Sequence, residues 1–334
     1  MLSIIIFFIF IRNNDYLKNN AIRLSADVNT YYKISEMSFG TRALISLRQN
    51  LLGPILFIII TRKNLLFAFF INILLFLIAL HIFLKSHRST NFDKKIFIKY
   101  ILLNPLIFVS LLLINKELFS FVSILFFLSY LKENKKTYLF IALTFAIFTR
   151  WQQLIVYIIF LFFNSPVYLF KGKNRLTILL IILFINTFFN SIFSIFSNIY
   201  AQGTLESQLD KAGQLMKIIY FCENNFLYLV SLPIKIFLNL FGNIFRVFYL
   251  FNPSYILADV YNNLFILGHQ ISFFIIFYIM FLKKKLNLSN NIFFLSMIIC
   301  ILFSISKMIQ YRYFLIVYVL WVYILSNKDN KQRK

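Results

Sequence analysis

Long apolar runs separated by short polar stretches dominate this chain. They fall at Leu65–Leu84, Ile96–Ile114, Leu118–Leu131, Tyr138–Phe148, Leu154–Phe170, Leu176–Ile199, Leu264–Leu282, Ile292–Ser306 and Tyr313–Leu325. A helix rises about 1.5 Å per residue and needs about 20 apolar residues to cross roughly 30 Å of hydrocarbon. Each run therefore predicts a spanning helix, the shorter ones by borrowing polar flanks. An earlier run, Leu2–Ile11, reaches only about 16 Å as a helix and lacks the basic segment that opens a signal peptide. Either the start codon is misplaced or this first span is incomplete.

The positions of the basic residues orient these elements. Lysine and arginine cluster at Lys85–Lys99, Lys132–Lys136, Lys171–Arg175, Lys283–Lys285 and Lys328–Lys334. Placing all five clusters in the cytoplasm satisfies the positive-inside rule with simple alternation. The expected architecture is an all-α polytopic transmembrane helix bundle of about ten spans, with outer-face interfacial helices and both termini inside. It forms a single integral membrane domain over residues 1–334, with outer loops at 12–50 and 200–226 and a cytoplasmic tail at 327–334. Two pieces resist alternation. Leu51–Thr61 is too short to span and reads as a helix lying at the outer interface. Phe226–Phe251 is apolar but interrupted by Pro233, Lys235, Gly242 and Arg246, which fits a tilted helix, an interfacial pair or a re-entrant hairpin.

Composition agrees with a membrane protein. Hydrophobic residues make up 60% of the chain and charged residues only 13%, where soluble domains carry about 25% charge. The net charge of +23 is explained by cytoplasmic anchoring next to anionic lipid. No nucleic-acid-binding pattern accompanies it, so no nucleic-acid partner is expected. Cys222 and Cys300 make no disulfide framework. His81, His87 and His269 show no metal-ligand spacing, so no cofactor is evident and nothing supports a divalent metal.

The acidic residues are few and unevenly placed. In the topology above, Asp15, Asp27, Glu36, Glu117, Glu206, Asp210, Glu223 and Asp259 share the outer face. Four segments there carry candidate chemistry. The first runs from Ile22 to Lys33 and holds Arg23, Asp27 and Tyr31; the spacing of Asp27 and Tyr31 puts both on one helical face. A carboxylate at that place suits deprotonation of an acceptor hydroxyl, with arginines holding a phosphate. The second is Asn104-Pro105, Ser110 and the turn Asn115-Lys116-Glu117, whose charges lie close to hydrocarbon and pair with each other or with the first loop. The third is Thr149-Arg150-Trp151-Gln152-Gln153, which opens a span with a phosphate-compatible arginine. The fourth is Gln310-Tyr311-Arg312-Tyr313, which opens the last span. The arginine and tryptophan positions also fit plain aromatic-belt anchors. The loop with Glu206, Asp210, Lys211 and Lys217 reads as an amphipathic surface helix or lid.

This order of segments resembles the GT-C superfamily of polytopic glycosyltransferases, and likewise the bacterial polysaccharide polymerases of similar build. The resemblance rests on the first-loop Asp27 and Tyr31, Gly53-Pro54, the Asn-Lys-Glu turn, Arg150 and the "QYRY" at 310–313. It implies transfer of a sugar from a lipid-phosphate-linked donor to an acceptor glycan or lipid on the non-cytoplasmic face. Asp27 would be the catalytic residue. Arg23, Tyr31, Lys116, Glu117, Arg150, Trp151, Gln310 and Arg312 would bind substrate. The implied partners are the lipid-linked donor, the acceptor and bilayer lipids, and the implied location is the bacterial inner (plasma) membrane, active face outward. The chain departs from the pattern in having Val28 after Asp27, where many members carry a second acid. The alternatives are an O-antigen or exopolysaccharide polymerase and, ranked lower, a lipid-linked glycan transporter, which would carry polar residues inside its spans.

Overall fold

The computed structural model describes residues 28–41, 51–88, 91–112, 114–164, 175–185, 227–242, 257–304 and 311–327, with 217–219, 221, 222, 225 and 244 between them. Among these residues the secondary structure is helical, apart from an isolated bridge between Phe92 and Asn327. The helices are α1 Val28–Ser35, α2 Leu52–Ile60, α3 Leu65–Ser86, α4 Lys94–Leu103, α5 Pro105–Leu112, α6 Lys116–Glu133, α7 Lys136–Thr149 and α8 Trp151–Asn164. They continue with α9 Arg175–Ile185, α10 Tyr228–Phe241, α11 Leu257–Leu282 and α12 Asn291–Phe303. A 3-10 turn at Tyr311–Phe314 then leads into α13, Leu315–Ser326.

The expectation of about ten spans does not hold for the described residues. Two helices have the length and composition to cross a membrane, Leu65–Ser86 and Leu264–Leu282 within α11, or three if the bent pair α4–α5 counts as one. The other apolar helices stop short: α7 has 14 residues and α12 has 13, roughly 20 Å each at 1.5 Å per residue. Their ends are set by polar residues that the apolar runs had hidden. Asn134 ends α6 in the left-handed conformation, which asparagine tolerates better than most residues. Arg150 ends α7 in an extended conformation.

The run Ile96–Ile114 is likewise two helices and not one, bent by 70°. The break is at Asn104, which is extended because the ring of Pro105 disfavours the helical conformation at the preceding residue. Buried backbone groups at the break are answered from elsewhere. Asn104 Oδ1 accepts from Leu106 N at 3.0 Å, and the Tyr318 hydroxyl donates to the Tyr100 carbonyl at 2.6 Å. Conversely, Pro233 does not break its segment. Helix α10 runs through it and ends beside Gly242.

Helix α6 is the hub. It packs against α2, α3, α5, α7 and α13, and nearly its whole circumference is buried. By contrast, α3 turns Phe67, Phe70, Leu74, Leu77 and Ile78 outward, an apolar stripe of the kind lipid covers. Helix α2, the segment expected to lie at the outer interface, buries Gly53, Pro54, Ile55, Phe57 and Ile58 and leaves Ile59 and Ile60 exposed. Gly53 permits this, since a Cβ there would lie 2.6 Å from the Phe148 carbonyl oxygen.

Antiparallel alternation gives the bundle two ends. The basic-loop end gathers Ser86, His87, Phe92, Asp93, Ser129, Tyr323 and Asn327. The other gathers α1, α2, the starts of α6 and α8, and the 3-10 turn.

Candidate functional site

At the second end, Glu117 lies in the first turn of α6, and Arg150 immediately precedes α8. Arg150 Nη2 donates to Glu117 Oε1 at 3.1 Å, with both side chains nearly fully buried at 4% and 3% exposure. The Arg150 guanidinium also lies over the Tyr313 ring, 3.7 Å from its centroid. An arginine pairs well here because its planar cation both stacks on an aromatic face and bonds a carboxylate. Three of the four segments singled out above therefore meet: the Asn-Lys-Glu turn, the Arg150 segment and the 3-10 turn that holds Arg312.

The pairing differs from the sequence expectation, in which Glu117 met Lys116 or the first loop. Its Oε1 is taken by Arg150 from the third segment. The Glu117–Arg150 pair is neutral overall, so Arg150 does not present an uncompensated cation to a phosphate.

The surrounding polar groups were mostly missed by sequence reasoning. Gln153, on the first turn of α8, donates from Nε2 to the Ser120 carbonyl at 3.4 Å and to the Tyr157 hydroxyl at 2.6 Å. Tyr157 lies 3.1 Å from Ser123 Oγ, which donates to the Ala142 carbonyl at 2.7 Å. Ser123 commits its proton to that carbonyl, so Tyr157 must donate to Ser123 and accept from Gln153. The relay fixes the Gln153 amide, leaving its Oε1 turned away. Among the described residues, five atoms of the cluster around Glu117 and Gln153 are buried and without a hydrogen-bond partner: Asn115 Nδ2 and Oδ1, Glu117 Oε2, Ser120 Oγ and Gln153 Oε1. The available signal was spacing: Glu117 and Ser120 sit three residues apart on α6, as do Arg150 and Gln153 at the start of α8, so each pair shares a face.

The first-loop segment reaches the same end through α1 and α2. Tyr31 is buried in a cluster with Ile55, Ile114 and Phe119, and Ile114 and Phe119 flank the Asn115–Glu117 turn in the chain. Burial raises the Tyr32 pKa to about 12, and its hydroxyl lies 3.4 Å from the Lys63 carbonyl. Glu36 pairs with Lys63 at 2.7 Å in solvent; that hydrogen bond and charge lower its pKa. Arg312 is half-buried beside Tyr313, and Lys116 is half-buried beside Glu117. Arg23, Asp27 and Gln310 lie outside the described residues, as does most of the 200–226 loop. Trp151 begins α8, its side chain outside the description. Among the described residues no group of three or more His, Cys, Asp or Glu side chains is placed to hold a metal.

Two further buried polar groups lie between helices. His269 on α11 meets the Asn104 amide at the α4–α5 break, with Nδ1 2.8 Å from Nδ2. Its neighbour Gln270 donates to the Asn239 carbonyl of α10 at 3.1 Å. Lys235, Ser231 and Asn239 are buried on that helix. The spans are thus less free of polar residues than their hydropathy implied.

Comparison of the chain with protein-family models, with curated proteins and with solved structures finds no match.

Proposed function

We propose that the protein is a membrane glycosyltransferase that moves a sugar from a lipid-phosphate-linked donor to an acceptor glycan or lipid on the non-cytoplasmic face. The observation that supports this is the meeting of Glu117, Arg150 and the Arg312–Tyr313 turn at the end of the bundle opposite the basic loops. In the proposed reaction an acceptor oxygen attacks the anomeric carbon. The bond from that carbon to the phosphate oxygen breaks, the acceptor proton passes to a carboxylate, and the lipid phosphate leaves with the bonding pair. Asp27 is the proposed base. Arg312 is the proposed phosphate ligand, since it is half-buried in the 3-10 turn beside the Tyr313 ring that stacks on Arg150. A donor anchored in lipid needs only a polar site at the depth of its phosphate, and buried charge at such depth is retained where it serves function.

The test is glycan analysis in cells that carry the protein. Deleting it should remove a sugar from an envelope glycan, and plasmid-borne protein should restore it. Asp27→Ala and Arg312→Ala should not. An unchanged glycan in the deletion strain, or full restoration by Asp27→Ala, contradicts the proposal. A transporter of lipid-linked glycan is the second reading, favoured by the buried Lys235, Asn239 and Gln270 between α10 and α11. It predicts that Lys235→Met, and not Arg312→Ala, blocks glycan assembly.

A further inference from the structure

We infer that Asn115, Glu117, Ser120 and Gln153 form a subsite for the hydroxyl groups of a neutral polyol, and that the donor's phosphate does not bind there. This inference rests on the glycosyltransferase reading and divides its site into two parts.

The orphaned atoms define what a ligand must supply. Glu117 Oε1 is taken by Arg150. Its Oε2 is buried and accepts only. Gln153 has its Nε2 pinned against the Ser120 carbonyl and Tyr157, so its Oε1 also accepts only. Ser120 Oγ both donates and accepts. Asn115 offers one amide donor group and one acceptor, neither of them used, and its side chain does not cap α6. All four residues are at most 2% exposed. Leaving such atoms unanswered is costly, and native proteins leave few of them.

The unmet demand is therefore mainly for donors. A phosphodiester supplies none and would face Glu117 Oε2 with a like charge. An ammonium or metal cation supplies attraction, but the Glu117–Arg150 pair is already neutral and the added charge would sit beside a guanidinium. A hydroxylated ring fits both conditions. It donates to Glu117 Oε2 and Gln153 Oε1, exchanges bonds with Ser120 and Asn115, and brings no charge. Ordered water can make the same bonds in the unliganded protein, and hydroxyls displace it while repeating them. The phosphate is assigned outside this cluster, to the 3-10 turn where Arg312 precedes Tyr313.

The test uses the full chain in lipid nanodiscs, with two probes measured separately: methyl hexopyranosides by saturation-transfer NMR, and undecaprenyl phosphate by titration. The variants are Asn115→Leu with Ser120→Ala, which disturbs no hydrogen bond assigned above, and Arg312→Ala. We expect the first variant to weaken glycoside binding about ten-fold, as the loss of two buried hydrogen bonds implies. Its undecaprenyl phosphate affinity should stay within about two-fold. Arg312→Ala should do the reverse. Absence of any glycoside signal in the wild type overturns the inference, as does an equal loss of undecaprenyl phosphate in both variants. Wild-type protein that binds glycosides through this cluster but binds no undecaprenyl phosphate upholds the subsite and removes the lipid-linked-donor reading. A cooperative unfolding transition in each variant separates lost binding from lost fold.

Discussion

The two ends of the bundle both bury polar groups and treat them differently. At the basic-loop end, His87 meets the Phe83 carbonyl at 2.9 Å and the Tyr323 hydroxyl at 3.1 Å. Ser86 donates to the Phe83 carbonyl at 2.7 Å and lies 2.9 Å from His87 Nδ1. Asp93 caps α4 through Ile96 N at 3.1 Å, and its own amide donates to the Ser326 carbonyl at 2.7 Å. Lys285 bonds the Ile324 and Asn327 carbonyls. Among the described residues, none of the buried polar atoms left without a partner belongs to this set. Rings of Phe83, Phe92 and Tyr323 enclose the histidine. In the cluster around Glu117 and Gln153, by contrast, five buried atoms are left over among the described residues. A fully satisfied polar cluster behaves as a clasp, rigid and specific. A cluster with open valence leaves hydrogen bonds for water or a ligand to complete.

The largest effect expected from breaking this contrast is at the buried ion pair. Arg150→Ala leaves Glu117 charged and alone, which should cost roughly 3–5 kcal/mol of stability. Replacing both, as Glu117→Leu with Arg150→Met, should recover most of that loss, because no charge is then stranded. A double-mutant cycle read by thermal unfolding checks this. Additive losses would mean the pair is not coupled.

Next in size is the seal over the Glu117 end. Gly53→Ala drives a methyl into the Phe148 carbonyl and should cost about 1–3 kcal/mol by overpacking. Gly40→Ala, where nothing lies within 4 Å, should leave the unfolding midpoint unchanged. Equal midpoints for the two variants would mean that α2 does not pack there.

At the clasp, Tyr323→Phe removes the partner of His87 Nε2 and should cost about 1 kcal/mol, with glycan assembly intact. The clasp also carries a pH dependence. Burial holds the His87 pKa below its ordinary value, partly opposed by the Phe83 carbonyl. The unfolded chain therefore binds this proton more readily than the folded one. Stability should be full above the ordinary histidine pKa and fall as the pH drops from there toward the folded-state value. His87→Gln should flatten that slope in unfolding curves between about pH 7.5 and 5; an unaltered slope would assign it to other groups. The smallest effect is at Glu36 and Lys63, exposed and salt-screened, where Glu36→Gln should shift no midpoint.

Much of this contrast was legible in the sequence, and what was hidden has physical causes. Lysine clusters and apolar runs were enough to put Asn115–Glu117, Arg150 and Tyr313 on one side, because alternation depends only on chain order. Among the described residues the number of spans was overestimated. Hydropathy windows merge helices that end at single polar residues, such as Arg150, or turn at Asn104. The Asn-Pro pair did carry the break, since proline constrains the residue before it, but it read as a motif and not as a bend. The Glu117–Arg150 pair could not be read from spacing, as 33 residues separate its members and packing alone brings them together. The roles of Gln153, Tyr157 and Ser123 were hidden for a related reason: each is an ordinary residue in an apolar helix, and only the donor sequence among them shows which oxygen is left over.

On the proposed reading the Glu117 end gives up stability for binding, and the His87 end does not. The most direct measurement of that difference is the unliganded unfolding midpoint of Asn115→Leu with Ser120→Ala, read beside glycan assembly in cells. Removing orphaned polar atoms should leave the midpoint equal to wild type or higher, while assembly is lost. A lower midpoint with assembly intact would contradict this, because it would show that these atoms already have their partners within the fold.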